Sequence, residues 1–117
     1  MKTIIAGSRT ITDYSLVKQA IEDSGFPISV VVSGAARGVD QLGERWAREH
    51  KIPVVIYPAD WGKYGKSAGP MRNKEMAEYA EGLILIWNGT SKGSASMGDY
   101  ARQYGLNVFE RVVTPLV

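Results

Sequence analysis

The chain contains no cysteine and only one histidine, His50. Without thiols there is no disulfide, no thiolate nucleophile and no Cys-type zinc site. One imidazole cannot build a multi-histidine metal centre, so no metal site is expected. Placed at a helix end among charges, His50 reads as a capping or solvated residue rather than a catalytic one. Long apolar runs are missing too: no stretch approaches the roughly 20 residues a membrane helix needs. The first apolar run, KTIIAG at 2–7, is ended by glycine and soon followed by Arg9, unlike the core of a secretion signal. A cytoplasmic protein with no membrane partner is expected. Excess charge is small, with a net +2 over 117 residues. That permits nucleotide or nucleic-acid binding without arguing for it.

Two familiar phosphate motifs are also absent. No G-x-G-x-x-G occurs, so the dinucleotide fingerprint is missing. GKS at 65–67 lacks the first glycine of a P-loop, because that position is Asp60.

What is present is a regular alternation. KTIIAG (2–7), ISVVV (28–32), IPVVIYP (52–58), GLILIW (82–87) and LNVFERVV (106–113) read as strands. The first four are mainly apolar and β-branched without polar alternation, as expected of strands buried on both faces. Between them lie helical patterns. At 12–25, Thr12 or Asp13 caps, Leu16, Val17, Ala20 and Ile21 form an apolar face, and Gly25 terminates. At 39–51 the inner face is Val39, Leu42, Trp46 and Ala47. At 70–80 Pro70 opens the helix, and Met71, Met76, Ala77 and Ala80 pack. A weaker helix covers 95–105, and 59–69 reads as a long polar loop.

This β-α order predicts one α/β domain over 1–117: a Rossmann-like three-layer sandwich with a mainly parallel five-stranded sheet and helices on both faces. Right-handed crossovers then put every strand-to-helix loop on one edge. Ligands of such folds bind outside the carboxyl ends of the strands, at the switch point of strand order.

Four loops reach that edge. GSRT brings Gly7 for close backbone approach, the Ser8 hydroxyl and the Arg9 guanidinium. SGAARGVD at 33–40 brings Ser33, Gly34, Ala35, Arg37, Gly38 and Asp40. Its small residues leave a helix entrance open to a phosphate, with Arg37 closing over it and Asp40 accepting from a sugar hydroxyl. GPMRN places Arg72 and Asn73 in a first helical turn. NGTSKGS supplies Gly89, Thr90, Gly93 and Ser94 as a second cradle. Trp61 and Tyr64, among Lys63 and Lys66, suit a stacked base and equally suit a lid or a partner surface. Each stretch has a bland alternative as a turn or a surface charge; their convergence on one edge carries the reading.

GSR, SGAARGVD, GPMRNKEMA and LILIWNGTSKGS, in this order, resemble the SLOG superfamily, and most of all its small stand-alone YspA or cpYpsA-related branch. The resemblance implies a nucleotide or NAD-derived ligand; no cofactor is called for beyond that. DprA-like relatives share the first three motifs and use the pocket for single-stranded DNA, so single-stranded nucleic acid is an alternative partner. Lonely Guy phosphoribohydrolases carry PGG-GT--E, whose glutamate assists N-glycosidic cleavage. Here WNGTSKGSASMGD lacks the proline, the paired glycines and the glutamate. Enzymatic activity is therefore left open, with Asp40 and Asp99 as weak candidate acids. Relatives often pair through helices, which leaves a homo-oligomer, dimer or higher, open. The expectation is a binding or sensing module for a nucleotide-type small molecule.

Overall fold

The sheet has the order β3-β2-β1-β4-β5, and every neighbouring pair is parallel. Its strands are β1 (Lys2–Gly7), β2 (Val30–Ser33), β3 (Val54–Ile56), β4 (Gly82–Trp87) and β5 (Asn107–Val112). The helices are α1 (Tyr14–Ser24), α2 (Val39–Glu49), α3 (Trp61–Tyr64), α4 (Ala68–Tyr79) and α5 (Lys92–Gln103). This computed structural model describes residues 1–114; the last three residues of the expected domain lie outside the described residues.

Pleating splits each central strand between two cores. Ile4 and Ala6 of β1 and Leu83 and Leu85 of β4 join Met76, Ala77, Met97 and Ala101 from α4 and α5. Ile5, Ile84 and Ile86 point the other way, to Val17, Ala20, Ile21, Trp46 and Ala47 from α1 and α2. Because helices cover both faces, these strands show no polar alternation. Each fully buried aliphatic side chain contributes about 1.5–3 kcal/mol relative to exposure.

The ends of α1 and α2 follow the sequence closely. Asp13 accepts from the amides of Ser15 and Leu16 and so caps α1, while Gly25 closes it at φ 66°. The His50 ring stacks on Trp46 with centroids 4.4 Å apart, and its Nδ1 lies 2.8 Å from the Trp46 carbonyl.

Several expectations change, and β3 is shorter than expected, Val54–Ile56. The loop expected over 59–69 holds α3, a 3-10 turn at Gly65–Ser67 and the start of α4. Asp60 caps α3 by accepting from Lys63 N at 3.0 Å. Pro70 is the third residue of α4 rather than the first. It is tolerated there because amides of a first helical turn have no intrahelical acceptor. Met71 turns outward, 37% exposed, and Asn73 is buried instead. Finally, α5 starts at Lys92, three residues early, because Ser91 caps it.

The strand order reverses between β1 and β4. The chain winds outward through β2 and β3, returns over the opposite face through α4, and enters β4 beside β1. The loops after these two central strands diverge, and a crevice opens between them.

Candidate functional site

Backbone stitching builds the crevice. Gly7 ends β1 where an added Cβ would collide with the Ile86 carbonyl of β4, so only glycine allows the two strands to run this close. Ser8 is buried; its amide donates to Ile86 O at 3.1 Å, and its hydroxyl accepts from Asn88 N at 3.0 Å. The two switch-point loops are therefore tied together by Ser8.

The 33–38 loop is tied to itself. Ser33 Oγ accepts from Ala35 N at 3.1 Å and donates to Glu44 Oε2 at 2.7 Å. Asp40 Oδ2 accepts from Ala36 N at 3.2 Å. Ala35 sits at φ 60°, a left-handed conformation unusual for a residue with a Cβ. Gly38, at φ 74°, lies against the Ser8–Arg9 backbone, with no room for a side chain.

From α4, Arg72 Nη1 donates to Gly34 O at 2.6 Å, and its Nε donates to Asn73 Oδ1 at 2.9 Å. Asn73 Nδ2 in turn donates to Gly93 O at 3.3 Å and approaches Ser96 Oγ at 3.5 Å. Arg72 and Asn73 thus join the β2–α2 loop to α5 across the crevice. Arg72 and Asp40 flank Gly34, where an added Cβ would lie 2.5 Å from Arg72 Nη1 and 3.0 Å from Asp40 Oδ2.

Beyond β4, Asn88 Oδ1 accepts from the amides of Thr90 and Ser91 at 2.9 and 3.0 Å. Ser91 Oγ then accepts from Ser94 N at 3.3 Å. Lys92 and Gly93 occupy the first two positions of α5, where amides cannot reach an intrahelical acceptor and carry the positive end of the helix dipole. An added Cβ on Gly93 would meet nothing within 4 Å. Ser94 is 4% exposed, and its hydroxyl has no protein partner.

These elements enclose a cavity of about 210 Å³. Its floor is apolar, from Ala6, Met76 and Met97, and its walls carry Arg9, Asp40, Arg72, Asn73, Gly93 and Ser94. The mouth continues past Arg9 toward Arg37 on one side and toward Trp61, Lys66 and Lys92 on the other. Trp61 lies along Gly69 and is 52% exposed.

Two charged groups of the wall, buried Asp40 and half-buried Arg72, are perturbed. Burial pushes the Asp40 carboxyl up to about 6, Glu44 adds to the rise, and the Ala36 amide and Arg72 oppose it. Partial burial lowers Arg72 from its ordinary guanidinium value, with Asp40 opposing and Arg9 adding to the fall. A cavity with two guanidiniums, a helix N-terminus and one high-pKa acid can hold an anion and, beside it, a hydroxyl or other proton-bearing group.

The expected site residues are not all brought together. Gly7, Arg9, Asp40, Arg72, Asn73, Gly93 and Ser94 line the main cavity, while Gly34, Ala35 and Arg37 lie along its continuation at the mouth. Ser8, Ser33 and Gly38 are buried behind the wall. Gly89 and Thr90 are on the exposed turn, and Tyr64 faces Lys63 outside the cavity. Asp99 does not reach it; its side chain is 82% exposed and lies 3.9 Å from Arg102. Sequence reasoning missed the Met76 and Met97 floor and the part of Lys92, whose place between Ser91 and Gly93 marked it as a first-turn residue. Among the described residues, no cluster of three or more His, Asp or Glu could hold a metal ion, and no helix is long and apolar enough to cross a membrane.

The fold is a doubly wound, Rossmann-like α/β sheet with a polar cavity at its switch point. A family model described as the YspA, cpYpsA-related SLOG family matches residues 1–64, and the chain belongs to that family. Gene 61 protein of Mycobacterium phage D29 is 34% identical over 117 residues, covering 92% of this chain and 93% of the relative. Among solved structures, DNA processing protein A (DprA) from Streptococcus pneumoniae superposes with a TM-score of 0.76 at 20% identity. That match covers 93% of this chain and 49% of DprA, so the chain spans about half its length and the likeness is one of fold.

Proposed function

We propose that this protein binds a nucleotide or nucleotide-derived ligand at the carboxyl edge of its sheet, as a binding or sensing module. The anionic group sits at the N-terminus of α5, between the Lys92 and Gly93 amides and the Arg9 and Arg72 guanidiniums. One observation carries this reading: the α5 entrance opens into the switch-point cavity, where Gly93 and Ser94 line the wall beside Arg9 and Arg72 and an added Cβ on Gly93 would meet nothing within 4 Å. The Ser94 hydroxyl is buried at that wall without a partner, which costs about 1–3 kcal/mol; turned into the cavity by rotation about its Cα–Cβ bond, it would meet a ligand oxygen and lose that cost. Asp40 and Asn73 fix the sugar or base, and the floor takes an apolar edge.

Thermal denaturation with AMP, ADP-ribose, NAD and cyclic dinucleotides tests this. A ligand at 100-fold its Kd adds about 2.7 kcal/mol of stability, and Arg72→Ala is expected to reduce that gain. A wild-type protein that none of the panel stabilises ends the proposal.

A second reading, single-stranded nucleic acid, is favoured by Trp61, half exposed at a mouth shared with Arg9, Lys66, Arg72 and Lys92. The fold's likeness to a protein named for DNA processing is in keeping with it. Its affinity would fall steeply with salt; a flat salt response excludes it.

A further inference from the structure

Asp40 places a negative charge in the wall of a cavity otherwise suited to anions. It is 5% exposed, and its Oδ2 is held by the Ala36 amide. The charged groups around it come from four elements. Arg72 acts on it from α4 and Glu44 from one turn along α2, while Arg9 of the β1–α1 loop lines the same cavity and Lys92 stands at the α5 wall of its mouth. Arg72 and the Asp40 carboxylate share the space beside Gly34, so an anion that recruits Arg72 must approach that carboxylate.

We infer that Asp40 is a proton-controlled competitor for the anion in this cavity: ionised, it excludes fully charged anions that bring no hydrogen-bond donor, and protonated, it admits them. The inference rests on the ligand-site reading above and adds what decides which anions enter. An anion with an adjacent hydroxyl can donate to the carboxylate and so avoids exclusion. Sulfate, with acceptors only, does not.

Burial sets the switch in an accessible range, since Asp40 titrates near 6. Below that pH the side chain is neutral, the cavity is one charge more positive, and the anion binds more tightly. Above it the carboxylate opposes binding. By reciprocity the bound anion raises the Asp40 pKa.

Sulfate keeps its charge across this range and is the probe. Its binding to the whole chain is followed through the Gly93 amide resonance at pH 5 and pH 7.5, at constant ionic strength. Affinity is expected to be about tenfold weaker at pH 7.5, equivalent to a rise of about one in the Asp40 pKa on binding. In Asp40→Asn the affinity should not change with pH. Carboxyl-carbon titration of wild-type Asp40, with and without sulfate, reads the same coupling with no substitution. Sulfate binding that ignores pH, with an unmoved Asp40 pKa, overturns the switch and leaves the anion site standing. Unchanged pH dependence in Asp40→Asn also overturns it. No sulfate binding at either pH overturns both the switch and the anion site.

Discussion

Two helix entrances face the same crevice, and they are filled in opposite ways. At α2 the small residues are used up by the protein: Ser33 and Asp40 take the Ala35 and Ala36 amides, and Gly38 is pressed against Ser8 and Arg9. At α5 only the Ser94 amide is capped by a side chain, Gly93 has open space, and the Ser94 hydroxyl is unpartnered. A glycine-rich strand-to-helix turn therefore has two physical meanings. One lets the backbone pack closely; the other leaves a helix terminus open to an outside partner.

The largest break in this comparison comes at Gly38. Gly38→Ala puts a Cβ into the Ser8–Arg9 backbone at a left-handed φ, and a loss of about 3 kcal/mol or more is expected in urea denaturation. The counterpart Gly93→Ala has room and a helical backbone, so its stability should rise by roughly 0.5–1 kcal/mol. Equal losses at both would erase the distinction between the entrances.

Asp40 gives the next effect. Its folded pKa, about 6, lies above the unfolded value of 3.8. Its stabilising contribution is thus complete below pH 3.8 and is lost as pH rises through 6. Relative to Asp40→Asn, the wild type should lose about 2–3 kcal/mol between pH 4 and pH 6.5. Parallel stability–pH curves for the two proteins would show that the carboxylate at the α2 entrance is better solvated than its burial implies.

At α5 the corresponding cap is weaker. Ser91→Ala removes the oxygen that accepts from Ser94 N, and about 1 kcal/mol of stability should go with it. Denaturation measures the loss. A variant as stable as wild type would mean that the Asn88 turn alone holds the start of α5.

The expectations from sequence hold where topology does the work. Strands apolar on both faces need helices on both sides and so suit a parallel sheet, and parallel crossovers force the four loops onto one edge. The short α3 escaped because WGKY has no apolar period, and only Asp60 marks its start. The site was legible as a set of loops but not as a division of roles. Ser8 pairs with Asn88 from 80 residues away, and Arg72 reaches Gly34 from 38 residues away. Asp40 reads from sequence as an acceptor for a sugar hydroxyl because nothing local in SGAARGVD shows its carboxylate turning back to the Ala36 amide.

The finest test of the comparison is Ser94→Ala. In the free protein this hydroxyl is buried with no partner, so removing it should leave stability unchanged or raise it by up to about 1 kcal/mol. In the complex the same hydroxyl, rotated into the cavity, would face the anion, and its loss should weaken binding about fivefold to tenfold, one ordinary hydrogen bond. Calorimetry of the ligand found in the thermal panel, alongside denaturation of the free protein, separates the two. Ser33→Ala is the control at the other entrance. Its hydroxyl is already engaged with Glu44 and Ala35, so its loss falls on stability first. If Ser94→Ala destabilises the free protein as Ser33→Ala does, its hydroxyl has a structural partner and the α5 entrance is as closed as that of α2.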